Sequence, residues 1–262
     1  MKQEALYEAT IGNLNRHRKQ HWIHASLGKG KGIVNRKLKT NNGVEITIQL
    51  YTTRNANLTE KIPKDQDLQI IYQNIKDLTK VPHIASQNLL KQAQNYDLVG
   101  YMEDDIIIND PEFFQKILYL ERCAEGNYAF LPHRCEQIPG QGDVILSGDP
   151  DGGRPDLFWD TQERITIDWP LGQRCFYRAT NPHSGCYFLG GEKANRVYEF
   201  WRERNWQADW CLSGPLEQAG SGMLLPVLRV MKPIPEHYRF LMVQHRDNLW
   251  TRHEFEVQNN QE

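Results

Sequence analysis

Apolar and polar residues alternate most regularly over residues 44–51, VEITIQLY. That period of two, with its β-branched side chains, predicts a strand. LQIIY at 68–72 predicts a second strand, LVGYM at 98–102 a third and SGCYFLG at 184–190 a fourth. Two more are expected over 224–231 and 240–244, with Pro226 favouring a sheet edge for the former. Between these runs the spacing changes to that of helices. Ser86 can cap a helix over 86–94 that sets Leu89, Leu90 and Ala93 on one face. Asp110 and Pro111 read as the N-cap and first residue of a helix carrying Phe113, Phe114, Ile117 and Leu118. Ala194, Val197, Tyr198 and Trp201 recur at i, i+3, i+4 and i+7 in a helix over 192–204. Pro215 opens a short helix that holds Glu217 and is stopped by Gly220 and Gly222. Residues 3–19 predict a further helix, interrupted by Gly12.

Strands alternating with helices imply an α/β fold with a parallel or mixed sheet, in which ligands bind beyond the C-terminal ends of strands. No internal repeat or linker composition divides the chain, so one domain is expected over 44–256. A basic segment of helix and loop over 1–43 precedes it, and a tail over 257–262 without apolar pattern should be disordered. Residues 137–182, rich in Gly, Pro and Asp, read as a surface loop. The GDPDGG run there lacks the spacing and final Glu of an EF-hand calcium loop.

Composition narrows the classes. The chain has 262 residues, 39% hydrophobic and 24% charged, as in ordinary soluble proteins. No apolar run approaches the length of a membrane span, and MKQEALYEAT lacks the apolar core of a signal peptide. Five cysteines without a CxxC pair argue against a disulfide framework or a zinc knuckle, so a reducing cytoplasm is expected. A net charge of −2 does not favour nucleic acid as a partner. The charge is unevenly spread, however. No acid lies between Glu8 and Glu45, an interval holding Arg16, Arg18, Lys19, Lys29, Lys31, Arg36, Lys37 and Lys39. That segment is either simply solvated or meets phosphates or the inner face of an anionic membrane. Its Gly28-Lys29-Gly30-Lys31-Gly32 core lacks the spacing of a nucleotide-binding P-loop and reads as a basic loop.

Chemistry concentrates at residues 96–114, YDLVGYMEDDIIINDPEFF. Glu103, Asp104 and Asp105 follow an apolar strand directly, where three adjacent carboxylates repel one another. A cation should meet them, and a divalent metal at the end of a strand is the sharpest candidate. Leu131-Pro132-His133-Arg134 forms a second cluster, through which Arg134 could hold a donor or acceptor molecule.

YMEDDIII followed by NDPEFF resembles the metal-binding strand of GT-A glycosyltransferases, which carry a DxD or ExD signature there. It is similar to the Glu-Asp-Asp and Asp-Phe-Phe segments of the Golgi N-acetylglucosaminyltransferases. SQNLLKQAQ before it and SGCYFLGG after it have counterparts in order, so the resemblance spans roughly residues 44–250. It implies a GT-A fold, with a Rossmann-like mixed central sheet flanked by helices. It also implies a nucleotide-diphosphate sugar donor, UDP- or GDP-linked, a glycan or lipid-linked acceptor, and Mn²⁺ or Mg²⁺. In that reading Asp105 ligates the metal, Glu103 reaches it through water or contacts ribose, and Asp104 contacts sugar hydroxyls. His245 would be a further ligand and Arg246 would hold diphosphate. Tyr51, Thr53 and Arg54 end the strand where the family binds nucleotide, although LTEKIPKDQD shows no clear helix between the first two strands. An inverting transfer needs a carboxylate base, for which Glu217 and then Asp209 are placed. Trp206 and Trp210 could stack on sugar rings or pack in the core. A nucleotidyltransferase, a non-catalytic carbohydrate-binding protein and a HAD-type phosphohydrolase are the alternatives. The first would place a GxGxR-like loop after strand one and the last a DxDxT/V motif, and neither stands in this sequence.

Overall fold

The computed structural model describes residues 2–18, 21–28, 32–39, 44–54, 57–124, 126–138, 142–145, 163–179, 182–206 and 214–246. For 21–28, 32–39 and Asn57 it describes backbone alone. The chain is mixed α/β. It opens with α1 (Lys2–Tyr7), a π turn over Glu8–Gly12 and α2 (Asn13–His17), so the interruption expected at Gly12 is a widened turn within a continuous helical segment. Leu6, Ile11 and Leu14 are buried on one side against Ile62, with Ile48, Leu50 and Leu68 beside them.

β1 (His21–Gly28) and β2 (Gly32–Lys39) pair antiparallel in a segment expected to hold only helix and loop, while Lys29 to Lys31, the centre of the expected basic loop, lie outside the described residues. The root of this pair closes where Val44 N–H donates to the His17 carbonyl at 3.1 Å and Arg18 meets Asp65 at 2.9 Å. β3 (Ile48–Thr53) and β4 (Leu68–Gln73) pair in parallel, Ile48 opposite Leu68. The connection between them holds one 3-10 turn, Asn57–Lys61, in place of the helix that the resemblance led one to expect.

Helix α3 (Val81–Lys91) begins five positions before the expected cap, with Pro82 in its first turn, where a missing N–H costs nothing. Ser86 is therefore not a cap. It is buried inside the helix, its hydroxyl 3.1 Å from that of Tyr187. Strand β5 (Leu98–Met102) leads through the acidic turn into β6 (Ile106–Ile107), and α4 (Phe113–Cys123) follows. Glu112, not Asp110, stands at the N-cap of α4. Asp110 instead accepts the Glu112 N–H at 2.9 Å and pairs with Lys116 at 2.5 Å, turning the chain into the helix.

The remaining strands are β7 (Tyr128–Phe130), β8 (His133–Ile138), β9 (Gly142–Ile145), β10 (Arg164–Ile167), β11 (Arg174–Arg178), β12 (Cys186–Gly190), β13 (Arg229–Pro233) and β14 (Met242–His245). Helices α5 (Gly191–Glu203) and α6 (Pro215–Ala219) lie between β12 and β13. Three strands, β9, β10 and β11, thus occupy what reads from composition as a surface loop, while the GDPDGG run lies outside the described residues. The strand expected over 224–231 begins only at Arg229, and β13 lies between β11 and β7, so it is no edge.

Among the described residues the strands fall into five hydrogen-bonded sheets. Two have four strands, in the orders β10-β11-β13-β7 and β6-β14-β8-β9. The β5–β12 pair is antiparallel and forms a wall between two cores. Val99, Tyr101, Tyr187 and Leu189 face one core, shared with α3, α5 and α6. Phe188, Cys186 and the half-buried Met102 face the other, shared with α4, Met231 and Val243. The period of two in both strands makes this division. Among the described residues no helix is long and apolar enough to cross a membrane.

Candidate functional site

At the end of β5 the backbone turns sharply. The Glu103 N–H donates to the Gly185 carbonyl at 2.8 Å, and the Ile106 N–H returns to the Glu103 carbonyl at 3.4 Å. Asp104 and Asp105 occupy the corner of this turn, a setting that suits Asp because its short side chain tolerates turn geometry. Asp104 is exposed, Asp105 is partly buried and Glu103 is buried. Gly185 permits the close approach. Its φ is +65°, and a Cβ there would lie 2.6 Å from Ile106 Cδ1.

The three carboxylates have different surroundings. Glu103 points inward, with Oε2 3.7 Å from Arg134 Nη1 and Oε1 3.7 Å from His183 Nε2. Burial pushes its pKa up to about 7 despite the opposing pull of Arg134, and Asp105 and Glu217 add to the rise. Asp105 faces His245, whose Nε2 lies 3.2 Å from Oδ2. The Arg246 N–H donates to the Asp105 carbonyl at 3.0 Å, fastening the turn to the end of β14. Glu103 Oε1 and Asp105 Oδ1 are buried with no hydrogen-bond partner among the described residues.

His245 is bracketed. Its Nδ1 lies 2.7 Å from Glu136 Oε1, and Glu136 is fully buried. The strand order β6-β14-β8 produces this line. Ile106 pairs with His245 across one ladder, while Gln244 pairs with Cys135 across the other, which brings Glu136 alongside His245. Burial lowers the His245 pKa, but the bonds to Asp105 and Glu136 outweigh it and hold the ring at about 9. The imidazolium then supplies the positive charge that the carboxylates need.

Two more cations lie behind the turn. Arg134 is buried, and Lys232 donates to the His183 carbonyl at 2.6 Å. Burial, with Arg134 nearby, brings the Lys232 pKa down to about 7. The same two causes, burial first, push His183 down to about 2, so it stays neutral.

The expected site residues divide accordingly. Glu103, Asp105, Arg134 and His245 meet, with Arg246 joined through its backbone, while its guanidinium turns to Glu4 at 3.1 Å. Glu217, in the first turn of α6, is half-buried and its charge reaches Glu103, Tyr101 and Arg134. Tyr51, Thr53 and Arg54 lie at the end of β3. Among the described residues no hydrogen bond or ion pair joins them to the acidic turn; the Tyr51 hydroxyl donates to Gln49. Trp206 packs on Tyr198 at 5.7 Å and belongs to the core, its ordinary packing alternative. Asp209 and Trp210 lie outside the described residues. Glu136, His183 and Lys232 were not expected. The run His133-Arg134-Cys135-Glu136, polar yet buried throughout, could have marked Glu136. Lys232 and His183 carry no local signal.

No group of three or more His, Cys, Asp or Glu side chains able to hold a metal is found among the described residues. The arrangement nevertheless fits a divalent cation held by two protein groups. Asp105 Oδ2 lies 3.2 Å from His245 Nε2, its Oδ1 is buried without a hydrogen-bond partner among the described residues, and Glu136 secures the far side of the imidazole. Carboxylate and imidazole are donors that Mn²⁺ accepts, and Mg²⁺ sites commonly use one or two carboxylates and leave the remaining positions to phosphate and water. No family model, no curated protein and no solved structure matches the chain.

Proposed function

We propose that the protein is a GT-A glycosyltransferase, moving a sugar from a nucleotide-diphosphate donor to a hydroxyl acceptor with Mn²⁺ or Mg²⁺. The observation that carries this reading is His245 beside Asp105 Oδ2 at the end of β5, with Asp105 Oδ1 buried and without a hydrogen-bond partner among the described residues. Asp105 and His245 would hold the cation. When bound, it would neutralise the diphosphate and improve it as a leaving group.

The protein's own groups take the other roles. Arg134 and Lys232 provide a positive field beside the turn for donor phosphate, balanced by Glu103. Asp104 is exposed at the corner, where sugar hydroxyls could reach it. Glu217 accepts the proton of the acceptor hydroxyl as that oxygen bonds to the anomeric carbon. The bond from that carbon to the diphosphate oxygen breaks, and the diphosphate carries away the electron pair. Attack opposite the leaving group inverts the centre.

A thermal-shift panel of nucleoside diphosphates, with and without Mn²⁺, tests the reading. A diphosphate at 100 times its Kd should add about 2.7 kcal/mol of stability, and only with metal. Asp105→Ala should erase that gain. Stabilisation by no diphosphate, or an unchanged response in Asp105→Ala, would count decisively against it.

A further inference from the structure

We infer that Glu136 is a positioning residue, which holds the His245 ring so that Nε2 is the nitrogen offered with Asp105 to a divalent cation. This rests on the cation-binding reading above. Glu136 is fully buried and its Oε1 lies 2.7 Å from Nδ1 of His245. A neutral imidazole has one N–H, and the bond made by one nitrogen decides which carries it. A carboxylate can only accept, so beside Glu136 the hydrogen stays on Nδ1. In the imidazolium the second hydrogen, on Nε2, lies toward Asp105, 3.2 Å away, and it is the one that a cation displaces. Without that acceptor Asp105 draws the remaining hydrogen to Nε2, which then cannot ligate.

The placement is built into the sheet. β14 lies between β6 and β8, so the turn carrying Asp105 and the strand carrying Glu136 flank the same imidazole. Glu136 could instead serve only to tie β8 to β14. Loss of that tie would lower stability, but it would not move the hydrogen between ring nitrogens.

Two measurements separate these roles in the whole chain. Mn²⁺ affinity is read from the electron paramagnetic resonance of the free ion, for wild type, Glu136→Gln and Glu136→Asp. Glu136→Gln keeps the shape and removes the charge, and a 10- to 100-fold loss of affinity is expected. Glu136→Asp retracts the acceptor by one methylene and should lose affinity as well, which covers the case that the glutamine variant does not fold. The second readout is ¹⁵N-histidine NMR of the Zn²⁺-loaded protein. Wild-type His245 should show protonated Nδ1 and metal-bound Nε2, and Glu136→Gln should lose that bias. Unchanged Mn²⁺ affinity in the folded variants, with an unchanged ring signature, overturns the inference and leaves the cation site standing. Failure of the wild type to bind Mn²⁺ overturns both.

Discussion

The Asn13 side chain accepts the Ile108 backbone N–H at 3.0 Å and donates to the Ile106 carbonyl at 3.1 Å. A helical residue thus stands in for a strand on the side of β6 that β14 does not cover. His17 adds a third contact, its Nε2 2.8 Å from the Ile108 carbonyl. The N-terminal helical segment is therefore part of what fixes the acidic turn. Asn13→Ala leaves two buried backbone groups unsatisfied and should cost about 1–3 kcal/mol in urea denaturation. A stability equal to that of the wild type would show that β6 needs no such support.

Gly185→Ala should be more damaging than its size suggests. The left-handed backbone costs an alanine roughly 1–2 kcal/mol, and its Cβ would press on Ile106 Cδ1 at 2.6 Å. The two effects together should lower Tm by roughly 4–8 °C. A melting curve superimposable on the wild type would mean that the turn relaxes freely.

Much of this frame was legible in the sequence because it depends on local pattern. The alternation of 44–51 and the apolar run LVGYM gave β3 and β5 to within a few residues, and Trp201 with Val197 marked the buried face of α5. What was hidden depends on long-range pairing. Ser86 looks like a cap until Tyr187 is known to lie beside it. RITI and RCFYR are short strands set among loop-forming residues; they pair with each other, and RCFYR is held on its other side by the distant β13, which no local window contains. In the site, Asp105 and His245 were visible as chemistry at strand ends. Glu136 was not, because its role depends on a strand more than a hundred positions away; the separation is 109 residues.

His133 gives a pH dependence. Its ring is buried, Nε2 is 2.7 Å from the Pro233 carbonyl, and burial together with Lys232 pushes its pKa down to about 3. The unfolded chain binds a proton near pH 6.5 that the folded chain refuses. Stability from this group is therefore intact above pH 6.5 and is lost as pH falls toward 3. At pH 5 the loss should be roughly 2 kcal/mol. Chemical denaturation at pH 7 and pH 5 checks this, since His133→Gln should show a smaller difference between the two. Equal differences would mean that His133 titrates normally.

Glu217→Gln tests the base separately from the donor site. Turnover should fall 10²- to 10⁴-fold. Stabilisation by nucleoside diphosphate with Mn²⁺ should persist, because Glu217 lies on α6 and not on the acidic turn. Full activity in the variant would pass the role to another carboxylate, with Asp209 next in line.

The position of β14 between β6 and β8 also has a consequence for synthesis. The ribosome makes Asp105 and Glu136 well before His245, and closing a loop of 109 residues carries an entropic cost that only the completed sheet offsets. Until that strand docks, nothing pairs β6 with β8, and Asp105 and Glu136 lack the imidazole that links them. On the proposed cation-binding reading, a nascent chain that already contains the whole acidic turn would still lack the ligand that completes the site. The imidazole arrives only when this late strand docks.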